Sequence, residues 1–95
     1  MESLESSVEK ISSYMAPICA GIPHEAGKGI TWTVWELQEK TGVNGRIIGK
    51  LRNRFTKAWG QALTPGKPPE FTVRPQSVYG KAGIVVERIA EAPHA

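Results

Sequence analysis

Ninety-five residues, 40% of them apolar, are enough for one small core and too hydrophobic for wholesale disorder. A single cysteine excludes an intrachain disulfide and a thiolate metal cluster, and the chain has no Asp at all. The net charge of +3 is unevenly divided: positions 1–43 hold three basic and six acidic residues, positions 44–95 nine basic and three acidic, so the second half points to a polyanionic partner.

In chain order, Leu4, Val8, Ile11, Met15 and Cys19 recur at helical spacing and predict an amphipathic first helix. Ser6 with Glu9 offers a capping box, and Ser3 is an equally good start. Pro17 lacks an amide proton, so this helix is expected to kink or end near Ala16. Cys19, in the apolar run "APICAGI", is expected to be a small core residue. The acidic start "MESLESSVEK" has no long apolar run, so neither a signal peptide nor a membrane span is expected, and a cytoplasmic or nucleoid-associated location is.

"GIPHEAGKG" reads as a loop and "ITWT" as one brief strand. Thr33 with Glu36 forms a capping box opening "VWELQEK", whose Val34 and Leu37 face the core, with Trp35 off the core line. Gly42 suits the left-handed position that ends this helix, with Lys40 in its last turn. Asn44 is a good N-cap for the next helix, in which Ile48, Leu51, Phe55, Ala58, Trp59 and Ala62 keep one apolar stripe to about Leu63. After the connector "TPGKPPE", the runs "FTVRPQSV" and "IVVERI" are strand-like and "YGKAG" is the turn between them. Pro75 favours an edge strand or a bulge.

The order helix, short strand, helix, tight turn, helix, hairpin resembles the winged helix-turn-helix superfamily over roughly Ile30 to Ile89. The most specific piece is "WELQEKTGVNGRIIGKLRNRF", with Leu37 inward, Gly42 at the turn, Val43 in the elbow, and Ile48 and Leu51 anchoring the second helix. Gln38 departs from the pattern, since many relatives place a small alanine there. The resemblance implies an α+β, mainly helical fold: a winged helix of three helices, a short strand and a C-terminal β-hairpin wing. One domain spans 1–95, with a frayed tail at 90–95.

The resemblance also implies sequence-specific binding of double-stranded DNA by a small transcriptional regulator, its recognition helix (about 44–62) in the major groove. At ~100° per residue Arg46, Lys50, Asn53 and Lys57 fall opposite the apolar stripe, with Gly49 among them. Asn44, Arg46, Lys50 and Asn53 are the candidate base-reading residues, since Arg, Lys and Asn match guanine and adenine edges. Gly45, Gly49, Arg52, Arg54 and Lys57 are candidate phosphate contacts, the glycines because they allow close approach, and the helix start around Asn44 to Arg46 is expected to offer free amides to a phosphate. On the wing, Lys81 sits at the expected tip and Arg74 lies on the same hairpin. Lys28 and Lys67 are candidate contacts to the DNA backbone only.

Such regulators often dimerise, and the first helix with Tyr14 is the candidate homodimer surface. The alternative is a winged-helix protein–protein interaction module within a larger complex, with little or no DNA contact. RNA binding ranks lower, because the hairpin carries only Phe71 and Tyr79 as aromatics. No enzyme is expected: His24 lies in a Gly-rich loop and His94 in the tail, so the two are not expected to share a site. No metal, cofactor or small-molecule ligand is evident either, and any regulatory signal would then act through oligomerisation, a partner or expression level.

Overall fold

The computed structural model describes residues 3–89, so the expected frayed tail at 90–95 lies outside the described residues. Its elements are α1 (Leu4–Cys19), β1 (Gly29–Thr33), α2 (Val34–Thr41), α3 (Gly45–Arg54), α4 (Thr56–Ala62), β2 (Phe71–Val78) and β3 (Lys81–Arg88). The class is α+β, with an antiparallel sheet in the order β1-β3-β2. Alternation puts Ile30 and Trp32, Phe71 and Val73, and Ile84 and Val86 on one face of that sheet. Ile11, Met15, Leu37, Ile48, Leu51 and Trp59 complete the core from the helices.

Local chemistry sets most boundaries. Ser3, not Ser6, caps α1 by accepting from the Ser6 amide at 3.0 Å. The expected kink or end near Ala16 is corrected in one respect: α1 runs through Pro17 to Cys19. A proline this close to the end forfeits one ladder bond, and burial of Cys19 just beyond it offsets that loss. Tyr14 is half-buried and packs against the core.

The Thr33–Glu36 capping box is present in both directions, with amide contacts of 3.0 and 3.2 Å. Gly42 ends α2 at φ 75°, where a side chain would strain the backbone, and its amide donates to the Gln38 carbonyl. Val43 is fully buried in the elbow, and Asn44 caps α3.

The expected single helix of about 44–62 is two helices, so among the described residues four helices replace the expected three. The chain bends at Phe55 (φ −124°, ψ 28°), although Phe55 still donates to Leu51 and accepts from Trp59. The apolar stripe breaks there too: Phe55 is 38% exposed and Ala58 lies on the surface. Packing is the reason. The bend seats Trp59 in the core and lays α4 on β2, where a Cβ at Gly60 would stand 3.0 Å from the Phe71 carbonyl.

The expected five-residue turn "YGKAG" contracts to two residues, Tyr79 and Gly80, while Lys81, Ala82 and Gly83 join β3. Both turn residues have positive φ (51° and 75°), as a type I′ hairpin requires, and that turn twists the way the strands do. Gly83 lets β1 approach β3, since a Cβ there would meet the Trp32 carbonyl at 2.5 Å. Pro75 sits on β2, an edge strand, where its missing donor faces no partner strand.

Candidate nucleic-acid interface

The side chains of α3 divide by angle. Ile48 and Leu51 are buried, Ile47 packs half-buried beside them, Arg46, Lys50 and Asn53 are exposed on the other side, and Arg54 is exposed at the flank. Among the described residues, no hydrogen bond or ion pair engages the side chains of Arg46, Lys50, Arg54, Lys57 or Lys81. Lys57 belongs to α4, beyond the bend, so it does not continue the α3 face as the straight-helix projection required. It remains exposed and adds to the same positive half of the chain.

Gly49 and Gly45 have different causes. A Cβ at Gly49 would meet nothing within 4 Å, so no contact inside the chain demands glycine there. A Cβ at Gly45 would fall 2.7 Å from Gln38 Oε1, which accepts the Gly45 amide at 2.7 Å. Gln38, the departure from the superfamily pattern, therefore ties the end of α2 to the start of α3. Its role was missed in the sequence because the two residues lie seven positions apart.

That bond also corrects the expectation of free amides for a phosphate at this helix start. Gly45 donates to Gln38, Arg46 donates to Asn44 Oδ1 at 2.8 Å, and Ile47 donates to the Asn44 carbonyl at 3.0 Å. Asn44 is thus engaged as a cap through Oδ1, which leaves its side-chain amide nitrogen free to donate to a ligand.

Two arginines assigned to DNA have partners within the fold. Arg52 donates from Nε to the Gly83 carbonyl at 2.6 Å, and from Nη1 to Asn53 Oδ1 at 3.2 Å. It fastens α3 to the hairpin and orients Asn53, so its first role is positional. Arg74 is bridged to Glu87 across β2 and β3, with Nε at 2.8 Å and Nη2 on the same oxygen. The pairing register puts Arg74 opposite Val85, on the sheet face away from the core, well back from the tip.

At the tip Tyr79 is 96% exposed, and Lys81 is exposed as the first residue of β3. Phe71, the other hairpin aromatic, is buried. Lys28 and Lys67 are exposed, in the loops before β1 and before β2.

A third arginine, Arg88, is almost wholly buried. It donates to the Ile22 carbonyl at 3.0 Å and to Glu70 at 3.2 Å, and its guanidinium stacks 4.5 Å from the centre of the Phe71 ring. A shallow cavity of about 450 Å³ opens beside it, between the end of α1 and the α4–β2 loop, with Glu70 as its one carboxylate. Among the described residues no cluster of His, Cys, Asp or Glu can hold a metal ion. No described helix is long and apolar enough to cross a membrane.

No protein-family model, curated protein or solved structure matches this chain.

Proposed function

We propose that the chain is a winged helix that binds double-stranded DNA, with α3 in the major groove and the β2–β3 hairpin as the wing, and that it acts as a small non-catalytic regulator. The element order and the sheet order β1-β3-β2 are compatible with that layout. One observation carries the reading: α3 presents Arg46 and Lys50 around a glycine that no internal contact requires, in a stretch from Asn44 to Lys57 without an acidic residue. A solvated helix face normally mixes charges and avoids glycine.

Arg46, Lys50 and Asn53 would meet base edges, and Gly49 would let the groove wall come close to the backbone. Arg54, Lys57 and Lys81 would meet phosphates. Arg52 would set the angle between the recognition helix and the wing.

Titration of a duplex at low and moderate salt tests this. Three phosphate contacts give a slope of about −2.7 in log K against log salt, hence a roughly 40-fold loss between about 50 and 200 mM. Arg46→Ala and Lys50→Ala should each weaken binding about 10-fold. If the wild type does not bind at low salt, or neither substitution matters, the reading is lost.

Trp35 favours a second reading as a protein-contact module, because it is 59% exposed on α2. Binding through that ring would survive high salt and fail on Trp35→Ala.

A further inference from the structure

The hairpin tip holds a residue that the turn itself does not favour. Tyr79 sits at φ 51°, the left-handed region that Asn, Asp and Gly occupy at lower cost, and the Asn-Gly pair is the common choice for this turn. Its ring is 96% exposed, so it contributes nothing to the core in return. A conformation held against local preference at the apex of a rigid hairpin is where an external contact is to be sought.

The surroundings indicate the kind of contact. Lys81 follows two residues later, and no acidic side chain lies between Arg74 and Lys81. Arg52 clamps the hairpin to α3 through the Gly83 carbonyl. Tyr79 is four residues from Gly83, so it stands within roughly 13 Å of that clamp, at ~3.3 Å per residue. The turn that carries the tyrosine ring is therefore tied to α3, within reach of a polyanion lying along that helix.

We propose that Tyr79 is a base-stacking residue: the tip presents its ring to a nucleobase left unstacked or unpaired beside the segment that α3 holds. This rests on the DNA-binding reading and adds a preference to it. An aromatic face gives non-ionic, sequence-tolerant affinity wherever a base offers its own face, which a continuous duplex does not. The contact selects a structural feature of the DNA, not a sequence, and complements the ionic contacts of Arg46, Lys50 and Lys81.

The test compares two probes, a fully paired duplex and the same duplex with one unpaired 2-aminopurine, against wild type and Tyr79→Asn. Asparagine suits the turn, so this variant should be at least as thermally stable as wild type, and lost binding will not reflect unfolding. The expected result is that wild type prefers the unpaired probe by roughly 5- to 150-fold and quenches its fluorescence. Tyr79→Asn should lose the preference and the quench, yet bind the paired duplex with the same affinity and salt slope. Equal binding of both probes by wild type, or a preference retained in Tyr79→Asn, overturns the stacking role and leaves duplex binding standing. Failure of wild type to bind either probe at low salt removes the DNA-binding reading and this inference together.

Discussion

The arginines of the second half fall into two regions that behave as opposites. At the α1–β3 end, Arg88 is 8% exposed and shared among Glu70, the Ile22 carbonyl and the Phe71 ring. On α3, Arg46 is exposed and its side chain has no partner among the described residues. The two residues carry the same charge, yet one holds the fold together and the other is available to a ligand. Positive charge in a sequence therefore overstates the surface offered to a polyanion. Arg52, Arg74 and Arg88 are all engaged internally, and the outward set of the second half reduces to Arg46, Lys50, Arg54, Lys57, Lys67 and Lys81.

Truncation should separate the two regions most clearly. Arg88→Ala removes two hydrogen bonds and a ring contact and leaves the buried Ile22 carbonyl without its donor. It should cost about 2–3 kcal/mol, a fall in Tm of roughly 10–20 °C by calorimetry. Arg46→Ala should stay within about 0.5 kcal/mol of wild type by the same measurement while weakening DNA binding about 10-fold. If Arg46→Ala proves the more destabilising of the two, the two arginines do not divide between fold and ligand.

The buried end should also show itself through pH. Burial pushes the Cys19 thiol from 9.0 up to about 11, partly opposed by the charge of Arg88. The folded state thus holds this proton more tightly than the unfolded chain does. The stability tied to it is complete below pH 9.0 and declines as pH rises toward about 11, by about 2–3 kcal/mol in all. Urea unfolding of wild type and Cys19→Ala at neutral and alkaline pH isolates the effect, since the variant should lack that part of the decline.

Smaller effects should distinguish the glycines of α3. Gly49→Ala meets open space and gains helix propensity, so it should stabilise by about 1 kcal/mol while weakening DNA binding. Gly45→Ala should gain little, because its methyl group would push Gln38 Oε1 off the amide it accepts. A Gly49→Ala variant that gains stability and binds duplex as well as wild type would show that this glycine does not serve close approach.

Much of the fold was legible where the deciding contacts lie within a few residues. The Thr33–Glu36 box, the Gly42 stop, the Asn44 cap and the strand 71–78 each follow from hydrogen bonds or alternation over short spans. The bend at Phe55 was not legible, because neither Pro nor Gly marks it and the apolar spacing runs through it unbroken. The two-residue turn was only partly so: Tyr-Gly between two strand-like runs was a usable signal, but the glycine two residues beyond Lys81 suggested a longer loop. Among the candidate contacts, Arg46, Lys50, Arg54 and Lys57 lie exposed as expected, whereas Gly45, Arg52 and Arg74 have internal partners.

The sequence by itself determined where α2 starts and stops and where α3 starts, which residues are apolar enough to make a core, and that the second half is basic. Those properties depend on side chains and on neighbours no more than four residues away. Only the tertiary structure decided which cations stay available. The partners of Arg74, Arg52 and Arg88 lie 13, 31 and up to 66 residues away, and no local preference encodes contacts across such distances. They form because the sheet register and the packing of the helices on the sheet bring those groups together, and for Arg88 burial then makes leaving it unpaired costly.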